Sequence, residues 1–309
     1  MDTYFEKAKE VCKRYNIEVC DLYSVWKAMA QSGVNTTELL SNKLNHPIRE
    51  YHYYIAIKLI EKKLDCKKSK NTKYLIVKVK KMKYKELREQ ICDVCHKMWQ
   101  LGWVAANDGN VSVKLPDGNF MATPTGISKS FITPEKLVII NDKGEVIEGE
   151  EGYKPSSEIK MHLRCYKERE DVGAVVHAHP PTATGYAVAG KSLDEYSMIE
   201  TVIAIGSIPL TPYGTPSTNE VPEAIAPYLK EHDVFLLQNH GALTVGCDLI
   251  TAYYRMETLE LFAKISLTAH LLGGAKEIEK TQIDKLLDLR ENYYKVTGKH
   301  PGYKHYNKE

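Results

Sequence analysis

The sequence predicts an α/β protein whose central sheet is largely antiparallel, covered by helices and preceded by a mainly helical N-terminal segment. From about residue 84, helical patterns alternate with short strand-like runs. Tight turns such as "PDGN" at 116–119 and "DKG" at 142–144 join these runs. Such turns favour antiparallel neighbours, because parallel strands need a long crossover connection. With 309 residues, the chain can hold one large domain or two unequal ones.

The predicted elements of the second part follow in order along the chain. A helix over 84–101 leads to two short strands, "GNVSVKL" and "FMATPT", and then to a strand pair, "KLVIIN" and "GEVIEG". A helix over about 157–168, the strand "AVVHAH", a helix from about 181 and several short strands through "SIPLTPYG" come next. The last elements are a helix over "EVPEAIAPYLKE", the hairpin "VFLLQNHGALTVG", a long helix over about 248–272 and a helix ending near "YYKVTG". We expect 84–309 to form one domain.

The N-terminal segment, residues 1–65, predicts three helices and one short strand. Its stretch "NKLNHPIREYHYYIA" resembles the histidine block at the C-terminal end of SGNH (GDSL-type) hydrolases, with His46 and Pro47 in matching places. Three residues before His46 stands Lys43, where that family has Asp. The family's nucleophile block would precede residue 1, and a histidine without a nucleophile cannot carry out acyl transfer. We therefore expect a catalytically inactive remnant or an accessory cap.

Charge marks the boundary between the two parts. Residues 1–85 hold 19 Lys and Arg against 9 Asp and Glu, whereas the remainder holds 23 against 31. Lysines are concentrated in 66–83, where no sustained apolar face occurs. Because this run lacks interleaved aromatic residues and a recognisable binding module, we predict a solvated linker and no nucleic-acid partner. Met82 is a natural start for the following domain.

The composition argues against membrane and secreted classes of protein. No window holds 18 uninterrupted apolar residues, and the N-terminus is charged from its second residue, so we expect no membrane span, no signal peptide and a cytoplasmic location. Seven scattered cysteines, an odd number, indicate reduced thiols. The run "CDVCH" at 92–96 matches the haem-attachment pattern, but apolar residues recur around it at helical spacing. We interpret it as a helix with buried or half-buried thiols.

Three histidines at the ends of two strand-like runs predict a metal site. His177 and His179 lie two residues apart in "VVHAHPP", so they share one face of the predicted strand. The second run, "VFLLQNHG", places His240 just before Gly241, where the chain must turn. Three imidazoles with room for an exchangeable ligand are typical of catalytic zinc. The alternative is three unrelated histidines of the core and loops.

Glu158 in "KPSSEIKMH" is the candidate carboxylate of this site. It falls in the first turn of a predicted helix, where it could be a fourth ligand, a general base or both. The alternative role is to stabilise the helix dipole. His162 would share the helix face of Glu158, and we interpret it as a buried structural histidine.

Three polar turns predict an anion site. They are "NDGNVS" at 107–112, "TPTGIS" at 123–128, and Ser156 with Ser157 at a helix N-terminus. Backbone N–H groups and hydroxyls at such places hold phosphate without many cations. Together the three turns predict a phosphate site.

In chain order, "GNVSVK", "TPTGIS", "PSSEIKMH", "AVVHAHP" and "LLQNHG" resemble the motifs of the class II (zinc-dependent) aldolase and adducin family. The resemblance spans about 84–295 and implies a three-layer α/β/α subunit and a homotetramer with sites at subunit interfaces. It implies one Zn²⁺ per subunit, or another divalent ion, held by His177, His179, His240 and Glu158. It also implies that a phosphorylated sugar substrate places its phosphate on Gly109, Asn110, Thr125, Gly126, Ser156 and Ser157.

The resemblance favours one branch of that family. Epimerases carry Asp where this chain has Glu158, which points to a lyase that cleaves a deoxyketose 1-phosphate such as L-fuculose 1-phosphate. The products would be dihydroxyacetone phosphate and a short hydroxyaldehyde such as lactaldehyde. The alternatives are a methylthioribulose-1-phosphate dehydratase-like enzyme, which also keeps Glu, a pentulose-phosphate 4-epimerase-like enzyme and a non-catalytic scaffold. Adducin-like heads have lost the metal histidines, which argues against the scaffold.

The aldehyde end of the site is the least defined part of the resemblance. In aldolases of this kind a C-terminal tyrosine from a neighbouring subunit assists proton transfer at the aldehyde oxygen. Tyr293 and Tyr294 are the candidates by location. Ser197 stands where some relatives have an active-site tyrosine, so this chain departs from those relatives at the aldehyde end.

Overall fold

An eight-stranded mixed sheet forms the centre of residues 83–302, the part of the chain that this computed structural model describes. The strands are β1 Asn110–Lys114, β2 Phe120–Ala122, β3 Val138–Ile140, β4 Val146–Glu148, β5 Ala174–Ala178, β6 Leu210–Thr211, β7 Val234–Leu237 and β8 Gly241–Gly246. Their order is β4-β3-β2-β1-β5-β8-β7-β6. Six of the seven strand pairs are antiparallel and only β6–β7 is parallel. The predicted antiparallel character is therefore confirmed.

Seven α-helices accompany the sheet in the described residues. They are α1 Lys85–Gln100, α2 Ile159–Glu168, α3 Pro181–Val188, α4 Ile199–Ala204, α5 Glu220–Ile225, α6 Leu249–Leu271 and α7 Lys280–Asp288. Among residues 83–302, none of the helices combines the length and the apolar character needed to cross a membrane. The hydrolase-like block at His46, the segment 1–65 and nearly all of the linker 66–83 lie outside the described residues.

The two faces of the sheet bury different helices, because side chains alternate along each strand. Val176 on β5 belongs to the apolar core that includes residues of α1, α3 and α6. Its neighbour Val175 belongs to a second core, which includes residues of α2 and α5. This arrangement is the predicted three-layer α/β/α architecture. His177 has the same parity as Val175, so its side chain lies on the α2 side of the sheet.

Helix α1 carries the "CDVCH" run. Cys92 and Cys95 are buried free thiols on its core-facing side, and burial raises the pKa of both to about 12. The Nε2 atom of His96 lies 3.1 Å from the carbonyl oxygen of Ile132. The run is therefore part of an amphipathic helix. Cys165 and Cys247 are free as well.

One stretch departs from the predicted elements. Strands were expected through "SIPLTPYG", but the chain forms α4 over Ile199–Ala204 and only the two-residue strand Leu210–Thr211. The β-branched residues of "IETVIA" favour a strand locally. Val202 is nevertheless fully buried in a small core with Tyr196 and Ile283, and this packing outweighs local preference. The helix predicted over "EVPEAIAPYLKE" also changes, at Ala226, into a 3₁₀ turn that contains Pro227.

Glu260 on α6 anchors the start of α3, the helix that follows His179. Its carboxylate is 1% exposed and accepts hydrogen bonds from the backbone N–H groups of Thr182, at 3.1 Å, and Ala183, at 2.9 Å. These groups belong to the first turn of α3, where N–H groups have no partner within the helix. Lys264 lies 3.3 Å from the same carboxylate.

Glu260→Ala is therefore expected to lower the free energy of unfolding by about 2–4 kcal/mol, because it leaves the buried N–H of Ala183 and the half-buried N–H of Thr182 without an acceptor. Denaturation in urea measures the change. Glu257→Gln on the same helix is the control. In the unmodified protein the Tyr253 hydroxyl donates a hydrogen bond to Glu257 at 2.6 Å, and the amide oxygen of glutamine can still accept it. Equal stabilities for the two variants would show that Glu260 is not the anchor.

Candidate metal centre

Three imidazoles meet at one end of the sheet. His177 is in β5, His179 follows that strand, and His240 stands in the turn between β7 and β8. One ring nitrogen from each lies within 4.8 Å of those of the other two. The Nε2 atoms of His177 and His179 are 3.2 Å apart. The spacing fits three ligands of a single cation.

The β7–β8 turn brings His240 to this point. The N–H of His240 donates to the carbonyl of Leu237 at 3.0 Å, and Asn239 has a φ of 56°. Asn tolerates this left-handed conformation better than most residues. At Gly241 a Cβ would lie 2.7 Å from the carbonyl oxygen of Ala178 and would collide with the His179 ring. Gly241 therefore allows His179 and His240 to approach each other.

Glu158 completes the cluster from the other side. It is the residue directly before α2, and its Oε2 lies 3.2 Å from Nε2 of His177. Its Oε1 lies 3.0 Å from Nε2 of His240. Asn110, which pairs with His177 across β1 and β5, donates from Nδ2 to Oε2 at 3.0 Å. The amide thus orients the carboxylate towards the histidines.

The electrostatics of the cluster favour a positive charge at its centre. Burial by itself raises the pKa of the Glu158 carboxyl, but His177 and His240 outweigh it and hold that pKa well below its usual range. Burial lowers the pKa of His177, yet Glu158 reverses the direction and raises it. Burial and the neighbouring histidines lower the pKa of His179 to about 3, so its ring is neutral and can offer a lone pair.

The surroundings of the histidines also suit metal binding. Nδ1 of His177 lies 2.8 Å from the carbonyl oxygen of Ala242. A carbonyl can only accept, so Nδ1 carries the proton and Nε2 is left to bind a cation. Nδ1 of His179 lies 3.6 Å from Oδ2 of Asp108. Buried Oδ1 of Asn110 and Nδ1 of His240 have no hydrogen-bond partner. Three nitrogens, one carboxylate and orphaned polar atoms together fit a divalent metal ion.

His162 lies in the core beneath this cluster and is fully buried. Its Nδ1 is 2.7 Å from the hydroxyl of Ser112, which is in turn 2.8 Å from the hydroxyl of Tyr166. Burial lowers the pKa of His162 to about 3. The residue is held in a neutral hydrogen-bonded network and is not among the three clustered histidines.

The three predicted anion-binding turns are tied together beside the histidines. Thr123 donates its N–H to the carbonyl of Val111 at 3.0 Å, and Ser156 donates to the carbonyl of Thr123 at 3.2 Å. Of the predicted phosphate ligands, Gly109 and Asn110 are buried, Ser156 is half-buried, and Thr125, Gly126 and Ser157 are exposed. Backbone hydrogen bonds therefore join the three turns, and phosphate binding there stays a prediction.

Comparison with known proteins assigns the chain to a family. Residues 89–267 match the model of the Class II Aldolase and Adducin N-terminal domain. The chain belongs to this family. L-fuculose phosphate aldolase of Escherichia coli strain K12 is 35% identical over 187 residues, which are 60% of this chain and 85% of the relative. A 3-oxo-tetronate 4-phosphate decarboxylase of E. coli O6:H1 is 34% identical over 184 residues, 58% of this chain and 85% of the relative.

A solved structure agrees with this class II aldolase assignment. The structure of an L-fuculose 1-phosphate aldolase superposes with a TM-score of 0.62 at 27% identity, and covers 67% of this chain and 97% of that one. The family match begins at residue 89. The resemblance of residues 1–65 to SGNH hydrolases therefore stays a hypothesis.

The tyrosines expected from the class II aldolase resemblance lie at the surface of the described chain. Tyr293 and Tyr294 are 73% and 55% exposed, and their rings contact each other at a centroid distance of 5.0 Å. Neither forms a hydrogen bond to the histidines or to Glu158 within residues 83–302. Ser197 is half-buried before α4. A role for either tyrosine requires a neighbouring subunit and stays a prediction.

Two contacts of the histidine–glutamate cluster were not predicted from the sequence. Asp108 faces His179, and Asn110 contacts Glu158 in addition to its predicted place in the phosphate site. Both residues lie in "NDGNVS", so the motif itself marked the region. The specific partners could not be predicted, because they depend on the pairing of β1 with β5.

Proposed function

We propose that this chain is a metal-dependent aldolase that cleaves a deoxyketose 1-phosphate such as L-fuculose 1-phosphate into dihydroxyacetone phosphate and lactaldehyde. The observation that carries the proposal is the cluster of His177, His179 and His240, with Glu158 against two of them, beside three polar turns. A divalent cation at this place supplies Lewis-acid stabilisation of negative charge on the substrate oxygens. We propose zinc as that ion, since this donor set suits it.

The residues of the chain supply binding and proton transfer. Cleavage breaks the C3–C4 bond and leaves its electron pair on C3 as an enediolate. The C4 hydroxyl becomes an aldehyde as its proton passes to solvent, and Tyr293 or Tyr294 of a neighbouring subunit is the candidate relay for that proton. Glu158 then returns a proton to C3, and in the reverse direction it removes one. The 3.0 Å hydrogen bond from Asn110 keeps the Glu158 carboxylate oriented for this step. The polar turns would hold the phosphate and so fix the three-carbon unit.

A decarboxylase is the second candidate, because the two curated relatives are about equally similar to this chain. In a 3-oxo-tetronate 4-phosphate the C1–C2 bond lies next to the ketone at C3, and its cleavage releases carbon dioxide. The electron pair left on C2 forms the same dihydroxyacetone phosphate enediolate. The metal cluster, Glu158 and the phosphate site would serve both reactions. Only the aldolase must remove a hydroxyl proton from the departing fragment.

Product analysis separates these functions. The full chain, loaded with Zn²⁺, would be incubated separately with L-fuculose 1-phosphate, a 3-oxo-tetronate 4-phosphate, methylthioribulose 1-phosphate and a pentulose phosphate, each with and without a chelator. We expect lactaldehyde and dihydroxyacetone phosphate from the first substrate and no product with chelator. Release of carbon dioxide from the 3-oxo-tetronate 4-phosphate, without cleavage of L-fuculose 1-phosphate, would favour the decarboxylase. Loss of water from methylthioribulose 1-phosphate would favour the dehydratase, and epimerisation of a pentulose phosphate the epimerase. No turnover of any substrate with metal bound would favour a scaffold.

The assembly and location carried over from the resemblance stay predictions. A homotetramer would place Tyr293 or Tyr294 of one subunit at the site of the next, and light scattering of the full chain measures its mass. Metal analysis of the purified protein identifies the resident ion. The proposed cytoplasmic location and the absence of nucleic-acid and membrane partners rest on sequence alone.

A further inference from the structure

Lys129 is a buried cation beneath the predicted phosphate site. It is 1% exposed and lies at the start of a short 3₁₀ turn. Its Nζ donates to the carbonyls of Asn107 at 3.3 Å and Ile127 at 3.1 Å. Arg88, which is also buried, has an ion pair with Glu148 at 3.0 Å. Within residues 83–302, by contrast, no carboxylate forms an ion pair with Lys129.

The two carbonyls place Lys129 between two of the three polar turns. Asn107 opens the turn 107–112, which holds Gly109 and Asn110. Ile127 belongs to the turn 123–128, which holds Thr125 and Gly126. One ammonium group therefore connects the two backbone segments on which the phosphate is predicted to lie.

The charge balance of the region calls for an anion. An ammonium group buried without a counter-ion is costly, and two carbonyl dipoles offset only part of that cost. Burial lowers the pKa of Lys129, while Cys95 and Asp108 act in the opposite direction through space. The turns 107–112 and 123–128 contain no Lys or Arg, and Asp108 adds a negative charge. A phosphate dianion on these turns would otherwise meet only neutral donors.

We propose that Lys129 is the positioning residue of the phosphate site, where its ammonium group holds the two turns together and supplies the positive charge that balances the bound phosphate. This inference rests on the proposed function for its ligand, a phosphorylated substrate. Because the side chain is buried, Lys129 acts through the turns and does not touch the phosphate. Removal of its charge should weaken phosphorylated ligands selectively.

The test compares two ligands that differ only in phosphate. Lys129→Gln keeps an N–H donor for the carbonyls but removes the charge. Calorimetry on the metal-loaded full chain would measure the affinity for dihydroxyacetone phosphate and for dihydroxyacetone. We expect the first affinity to fall about tenfold and the second to stay within twofold. For the cleaved substrate, KM should rise by a similar factor while kcat changes less than twofold.

Lys136→Gln is the matched control. Lys136 lies on the same segment and also donates to a backbone carbonyl, that of Phe131 at 2.6 Å, but this hydrogen bond is exposed to solvent. Its ligand affinities should equal those of the unmodified protein. Lys129→Arg, which keeps the charge, should retain the preference for dihydroxyacetone phosphate over dihydroxyacetone. If Lys129→Gln does not fold, Lys129→Arg tests the proposal by itself. Loss of the preference for dihydroxyacetone phosphate over dihydroxyacetone in Lys129→Arg would contradict the proposal.

Equal weakening of both ligands in Lys129→Gln would overturn the inference, since it would indicate general loosening of the site. Unchanged affinities would overturn it as well. Binding of inorganic phosphate to the unmodified protein needs no turnover, so it can be measured even if the aldolase proposal fails. If the unmodified protein binds inorganic phosphate and Lys129→Gln binds it equally well, the inference about Lys129 is wrong, whatever the outcome for the proposed reaction.

Discussion

Replacing Glu158 by glutamine is expected to lower kcat by about a thousandfold, within the 10² to 10⁴ range typical of a lost acid–base group. Glutamine has nearly the same size and can still accept the hydrogen bond that Asn110 donates at 3.0 Å. It cannot carry a proton to and from carbon. The three histidines remain, so the fold and most of the bound metal should be retained. Steady-state kinetics together with metal analysis of the purified variant measure both parts of the expectation.

Glu151→Gln serves as the control for this change. Glu151 is exposed and lies shortly before the turn that contains Ser156. The control variant should have the kcat and the metal content of the unmodified protein. A Glu158→Gln variant with full activity would refute the proposed role of the carboxylate. If that variant lost its metal as well, Glu158 would act mainly as a ligand.

Replacing His240 by asparagine is expected to weaken metal binding at least a hundredfold and to reduce turnover to background. One of the three imidazoles is lost, and its Nε2 is the atom that lies 3.0 Å from Glu158. Catalysis that relies on a Lewis acid falls with metal occupancy. His240 stands in a turn and not inside a strand, so the sheet should be preserved. Competition with a chromogenic chelator measures the affinity, and circular dichroism checks the fold.

The exposed His270 near the end of α6 provides the comparison. His270→Asn should bind metal and turn over substrate as the unmodified protein does. In the unmodified protein, activity lost to a chelator should return on addition of Zn²⁺, whereas His240→Asn should recover little. Normal metal affinity in His240→Asn would show that the histidines do not share one ion.

Several features of the fold could be predicted because they depend on neighbours in sequence. The alternation of side chains along "AVVHAH" placed His177 and His179 on one face, and Gly241 marked the turn after His240. The helix α6 follows from a long run of helix-forming and apolar residues after Asp248, whose carboxylate accepts a hydrogen bond from the N–H of Thr251 at 2.7 Å. Such patterns act over a few residues, and elements far away in the chain alter them little.

Other features could not be predicted because they depend on contacts between distant segments. The stretch "IETVIA" has the composition of a strand and becomes α4 because Val202 packs against Ile283 from the C-terminal part. The placement of Lys129 beneath two turns depends on the approach of the segments at 107 and 127. The anchoring of α3 by Glu260 joins residues 77 and 78 positions apart. No local pattern encodes these distances.

The sequence by itself determined the α/β class, the antiparallel hairpins, the three histidines and the carboxylate, since residue type and short-range spacing carry that information. Only the tertiary structure decided that Glu158 faces His177 and His240, that Asn110 orients it and that a buried lysine joins two turns. The physical reason is that strand order and helix packing, which minimise exposed apolar surface across the whole domain, bring these residues together.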